Sequence, residues 1–353
     1  MSSRGIIYSI FGGSPSPPGD APVNLSSPFI TGDVRNGSTL SVSDGMWMGG
    51  PDTFAYQWSF NGAPVPGATS NTYTVGGEDL KGTIGCQVTA ANAHGSSAAS
   101  ADGVSSPLKA IYDIHSNAKI FVHTQGIASP IYSPVAAWSS ADGSVTLEQS
   151  VTSRQPIRYE SDVDLDGLDD YVKCDAMAPI FNGPHTVLSV ARYLSETNNV
   201  RTLWVAAQHY VSTGIREIET QNLSLGGAPL LVRQRYVLGG TSITKQIDMT
   251  ALWSKGPSAT FITACRSDAP SSLGSADALE AGASPVVLNS DTWPANTVNF
   301  DLFTLGVDRI NNTGAVGSYY FKGALAAFLV IPAKLTDAQL TTAYEALVLE
   351  GAA

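Results

Sequence analysis

The sequence predicts an all-β protein: a small two-sheet sandwich, then a larger jelly roll that closes with one helix. Three observations predict it. From Phe54 to Phe60 the alternation is strict, which places Phe54, Tyr56, Trp58 and Phe60 on one face of a strand. In the second half of the chain, strand-like segments are separated by Gly, Asn, Asp and Pro clusters, the punctuation of sheets and turns. Only 14% of the 353 residues are charged, and the chain holds 34 glycines and 20 prolines. That mix suits turn-rich β structure and argues against helical bundles.

Taken in order, residues 1–22 read as an arm and linker. The arm carries Ile6, Ile7, Tyr8, Ile10 and Phe11, and the linker is Gly12-Gly13-Ser14-Pro15-Ser16-Pro17-Pro18-Gly19. An apolar hexapeptide outside any domain is either a loose terminus or a docking peptide that adds as a strand to a larger assembly.

Residues 23–107 read as the first module. Asn61-Gly62 directly follows the Trp58 strand and signals a tight hairpin, because both residues tolerate positive φ. A second strand, Thr83 to Ala90, places Ile84, Cys86 and Val88 on one face, and Leu40 and Val42 complete the apolar set. The run Tyr56-Gln57-Trp58, Asn61 to Thr69, Tyr73-Thr74-Val75 and Gly85 to Gly95 resembles the bacterial and phage immunoglobulin-like domains. In antibody domains a Cys–Cys bridge crosses the central Trp. Here Cys86 has the late-strand position, but Leu40-Ser41-Val42 supplies no partner, so Cys86 reads as a buried free thiol.

Residues 108–353 read as the second module. Strands are predicted over Thr186–Tyr193, Thr202–Ala207, Ile215–Thr220, Leu230–Leu238, Ala259–Cys265, Val298–Leu305 and Tyr319–Ile331. Only the end of the chain reads as helical. Thr336 and Gln339 form a capping box, with Leu335 and Leu340 placed as its hydrophobic staple. Leu340, Ala343, Tyr344 and Leu347 then share one helical face.

Several runs of this module resemble laminin-G-like, concanavalin A-like domains, and in their order: Lys119 to His123, Ala137 to Ser140, Arg154 to Tyr159, Leu165 to Val172, Phe321 to Phe328 and Leu335 to Leu340. The two resemblances imply an immunoglobulin-like β-sandwich plus a concanavalin A-like jelly roll with a C-terminal helix.

The acidic run Asp162 to Asp170 is the best chemical candidate. Asp162, Asp164 and Asp166 alternate, Gly167 follows, and Asp170 closes the run, which suits hard oxygen ligands around calcium. Counted from Asp162, however, position twelve is Lys173, where an EF-hand places a bidentate Glu. A solvated acidic corner is the competing reading.

Glu217 and Glu219 share a strand face, but Gln221 and Asn222 stand where a jelly-roll glycosidase needs a further acid. The histidines (His94, His115, His123, His185 and His209) show no metal-ligand spacing. There is no Gly-x-Ser-x-Gly elbow and no P-loop, so the expectation is a protein that is not an enzyme. Trp253 and Trp293 read either as core fillers or as platforms that stack on sugars. Arg233 and Arg235 share a face that is solvated or meets another subunit.

A net charge of −11 argues against nucleic acid and anionic membrane as partners. No apolar run approaches the about 18 residues that span a bilayer. The three cysteines are too widely spaced for a disulfide framework or a zinc site. The Ile6–Phe11 stretch is too short for the apolar part of an export signal.

This combination of modules resembles phage virion proteins. The resemblance implies a capsid decoration protein or head fibre, assembled in the host cytoplasm and displayed on the virion surface. The arm would bind capsid or other virion proteins, and the jelly roll would present adhesive contacts to cell-surface glycan, with homo-oligomerisation a further option. The alternatives are a tail-associated receptor-binding adhesin and a secreted carbohydrate-binding protein.

Overall fold

The computed structural model describes residues 20–123, 125–166, 168–193, 200–207, 216–223, 231–238, 241–248, 260–268, 272–279, 286–291, 302–305 and 322–350. The chain is all-β and divides into two compact units at Ser106/Pro107.

The first unit stacks two antiparallel sheets. One joins Ile30–Thr31, Thr39–Val42 and Thr72–Thr74; the other joins Ala63–Pro64, Thr53–Phe60, Ile84–Asn92 and Gly95–Ser100. A separate ribbon pairs Val23–Ser26 with Met46–Met48. The core forms where the alternating residues of the two sheets meet. Trp58 is fully buried, stacks on Tyr73 at 5.3 Å and donates its indole N–H to Ser70 O at 2.8 Å. A buried indole needs such a partner, since an unpaired N–H would cost about 1–3 kcal/mol of what burying the ring gains.

Asn61 and Gly62 both take positive φ and close the two-residue hairpin between Phe60 and Ala63, as the dipeptide predicts. Cys86, paired in register with Trp58, is a buried free thiol, and burial pushes its pKa up.

The second unit is built of two larger antiparallel sheets. In the first sheet the order is Ser133–Pro134, Ile157–Arg158, Val163–Asp166, Lys322–Ile331, Pro184–Tyr193, Thr260–Asp268, Ser272–Leu279 and Val286–Asp291. Lys322–Ile331 is the hinge of this order. Its first half pairs with Val163–Asp166, its second half with Lys119–Val122, and its other edge with Pro184–Tyr193. The second sheet runs Ala137–Ser139, Thr146–Glu148, Val172–Lys173, Leu302–Leu305, Val200–Ala207, Arg216–Leu223, Leu231–Leu238 and Thr241–Asp248.

Aromatic rings bridge the sheets. Trp138 meets Phe121 at 6.0 Å, Phe121 meets Phe328 at 6.4 Å, Phe328 meets Phe303 at 5.8 Å, and Phe303 stacks on Phe181 at 5.5 Å. All five rings are buried.

The helix Asp337–Leu349 begins at Thr336 with the predicted capping box, and Leu335 and Leu340 are both buried. Arg266, itself buried, ties this helix to the first sheet: its Nη1 donates to Leu335 O at 3.0 Å and to Asp337 Oδ1 at 2.6 Å.

The expectation that only the end of the chain is helical needs correction. Lys109–Ile114 forms a short helix, and Asp175–Asn182 a 3-10 segment. The first has no side-chain cap and is held by burial of Leu108, Ile111 and Tyr112. Strands Thr241–Asp248, Ser272–Leu279 and Val286–Asp291 are also present beyond those predicted.

Phe303 is fully buried and joins the Phe328 ring to the Phe181 ring, so Phe303→Ala is expected to destabilise the protein by about 3–5 kcal/mol. Phe303→Leu should cost clearly less. Chemical denaturation of the two variants against the parent measures both.

Candidate functional site

Strand Val163–Asp166 carries a polar group at each end. Val163 and Leu165 point into the core, while Asp164 and Asp166 turn away from it. A hairpin turn precedes the strand, with Tyr159 N–H donating to Asp162 O at 2.8 Å, and the acidic corner follows it.

In the corner the carboxylates hold the backbone. Asp166 Oδ1 accepts from Leu168 N at 2.7 Å and from Asp169 N at 3.3 Å, and Asp170 Oδ2 accepts from Asp166 N at 2.9 Å. Short acidic side chains favour this because they can satisfy turn amides locally. Asp170 is buried, and burial pushes its pKa up to about 6. The charges of Asp166, Asp169 and Asp164 add to the rise, while the Asp166 N–H opposes it.

The four aspartates read from sequence as a calcium set are not gathered as a set. Asp166 and Asp170 come together with Asp169, which the sequence set omits; one oxygen from each lies within 4.8 Å of the others. Among the described residues this is the one His/Cys/Asp/Glu group at metal-ligand spacing. Asp162 lies at the opposite end of the strand, buried and paired with Arg192 Nη2 at 2.6 Å. Asp164 lies outside that group, and its charge acts on Asp170.

Calcium takes six to eight oxygens, so these three carboxylates would need backbone oxygens and water to complete a shell. Arg154 Nε, 3.9 Å from Asp169 Oδ2, already supplies some positive charge. The spacing fits a cation, and the hydrogen bonds fit a self-sufficient turn.

Other candidates fall as follows. Trp253, Trp293 and the arm residues Ile6, Ile7, Tyr8, Ile10 and Phe11 lie outside the described residues. Glu217 and Glu219 lie on strand Arg216–Leu223, where Glu219 is in register with Arg235; their side chains are outside the described part. His185 is buried against Phe181 with ring centroids 5.0 Å apart, and its pKa is pushed down to about 4. His123 is buried too, and desolvation lowers its pKa. Burial keeps both rings neutral near pH 7.

One exposed feature was not read from the sequence. At the hairpin end, Tyr132 and Tyr159 stand edge to face with centroids 5.5 Å apart, beside Glu160. They are 27 positions apart in the chain. Only the pairing of Ser133 with Arg158 brings them together.

No family model and no curated protein matches the sequence. Among solved structures, the chain is similar to a Trypanosoma rangeli sialidase in complex with sialic acid, at 9% identity and a TM-score of 0.43, covering 90% of this chain and 49% of that one. It is also similar to the Ruminococcus gnavus IT-sialidase CBM40 bound to alpha2,3 sialyllactose, at 12% identity and a TM-score of 0.37, covering 54% and 96%. A third is the leech intramolecular trans-sialidase, at 16% identity and a TM-score of 0.38, covering 52% of this chain. The chain spans 27% of that structure and 27% of a NanB structure.

These values describe partial likeness and assign no activity to this chain. They do correct one expectation. Sialidases are enzymes and stand among the similar structures. The reading of the chain as a non-enzyme is therefore withdrawn, and the lack of a legible carboxylate constellation excludes no glycosidase chemistry.

The pH dependence of the corner follows from Asp170. An unfolded aspartate titrates at about 3.9. The folded protein therefore keeps a proton at Asp170 that the unfolded chain has released. This contribution to stability is fully present below about pH 4 and is lost as pH rises through about 6. Asp170→Asn keeps an acceptor for Asp166 N–H and removes the charge. It is expected to melt higher than the parent at about pH 7.5 and close to it at about pH 4, by scanning calorimetry. In the same scans, a calcium-induced rise in the parent that Asp170→Asn abolishes marks a metal loop; no rise marks a solvated corner.

Proposed function

We infer that the chain is a carbohydrate-binding protein and that its second unit makes the contact. The observation that carries this reading is the second unit itself. Two large antiparallel sheets close over a continuous aromatic core and leave polar turns at the sheet ends. The sequence of this unit resembles the concanavalin A-like domains, and the inference runs through that architecture. Rigid strands with a filled interior suit recognition, because a surface that is ordered before binding loses little entropy on contact.

The test is a printed glycan array, probed with the full chain in calcium and in chelator. Binding to a defined group of glycans is expected. A blank array in both conditions, from protein with a cooperative melting transition, would sink the reading. Product release from 3′-sialyllactose, followed in parallel, reports whether contact is accompanied by cleavage.

A separate observation favours display on a virion. The apolar run Ile6–Phe11 and the Gly/Pro/Ser linker behind it have the composition of a tethered docking peptide. In this reading the arm fastens the chain to capsid or other virion proteins and the second unit faces outward. Removing residues 1–18 should abolish incorporation into particles, measured by blotting purified virions. Undiminished incorporation removes the arm's role.

A further inference from the structure

We propose that Tyr132 and Tyr159 form a stacking platform for a sugar ring, with the Glu160 carboxylate at its rim accepting from the sugar's hydroxyls. The proposal rests on the carbohydrate-binding reading above and names its contact site.

Both rings are exposed although both are large: Tyr132 is 66% accessible and Tyr159 is 39%. The two rings stand edge to face, with planes at 86°, and each keeps a large part of its surface open to solvent. A pyranose has the matching chemistry. One side of its ring is a patch of C–H groups, and its perimeter is hydroxyl. Tyrosine suits such contact, since it offers wide amphipathic area for only two side-chain torsions.

The backbone beneath the platform is fixed at several points. Tyr132 has φ +62°, a conformation that bulky residues rarely adopt. It is held there because its N–H donates to Arg158 O at 2.7 Å. Arg158 in turn spends its guanidinium on the same loop, with Nη1 donating to Ile127 O at 3.0 Å and to Ser129 O at 2.8 Å. Ile127 is buried in the core.

A glycine would occupy φ +62° without strain, so the backbone conformation gives no reason for a tyrosine there. A strained backbone that presents an exposed aromatic ring is the pattern expected where a ligand is met. Glu160 sits alongside, its Oε1 accepting from Tyr132 Oη at 3.5 Å, a long bond that a sugar hydroxyl can replace.

The experiment uses the full chain and the best-binding glycan from the printed array. Tyr132→Gly and Tyr159→Ala are each expected to weaken binding about tenfold, the size of one aromatic contact. Tyr132→Gly relieves the backbone, so its melting temperature should match or exceed the parent's. Tyr159→Phe keeps the ring and should keep binding. Leu25→Ala, an exposed apolar change in the first unit, should leave binding unchanged.

Equal binding by the parent, Tyr132→Gly and Tyr159→Ala overturns the platform while the carbohydrate reading stands. Loss in Tyr159→Phe as large as in Tyr159→Ala overturns stacking as its basis. A parent that binds no glycan overturns both proposals together.

Discussion

The second unit depends on one packing interaction, the run of aromatic rings from Trp138 through Phe121, Phe328 and Phe303 to Phe181. Each sheet contributes rings to it, and neither sheet can bury its apolar face without the other. Trp138 and Phe303 come from one sheet, Phe121 and Phe328 from the other, and Phe181 from the 3-10 segment. A buried aromatic side chain removes about 150–250 Å² of surface from water, so these few residues carry a large share of the hydrophobic term. The positions of both strand ends follow from this packing. Val163 and Leu165 join the same core, which leaves the hairpin at one end and the acidic corner at the other.

Charge is then handled locally. Asp162 is buried beside Arg192, and Arg266 beside Asp337, so two charges enter the interior only with a partner. Asp170 takes the other route. Its neighbours in the corner are themselves acidic, and burial leaves it with a proton well above the ordinary aspartate range. Sequence spacing places these aspartates in one run, yet they divide between two solutions because a strand of four residues separates them.

Much of the local structure was legible in the sequence. The alternation around Trp58, the Asn61-Gly62 turn and the Thr336/Gln339 box are signals that act within a few residues, and each appears where the chain places it. The missed strands Thr241–Asp248 and Ser272–Leu279 are rich in Ser, Thr, Asp and Ala and show little apolar alternation. They are held by pairing with neighbours, which outweighs their own propensity. The helix Lys109–Ile114 lacks a cap and is too short to show a period. The tyrosine pair was invisible for a related reason. Its members are ordinary residues in separate turns, and register alone makes them neighbours. The exclusion of catalysis relied on short linear patterns, and in a sheet protein reacting groups are assembled from distant strands.

Strand Lys322–Ile331 stands near the end of the chain yet lies in the interior of the first sheet, between partners made much earlier. During translation, Lys119–Val122, Val163–Asp166 and Pro184–Tyr193 leave the ribosome with their mutual seat unfilled. Their unpaired edges must wait for more than a hundred further residues. The smaller unit, whose sheets use only residues before Ser106, is free of that delay. The nascent larger unit therefore exposes unpaired strand edges until its last strand emerges, and early termination anywhere before that strand leaves a sheet that cannot close.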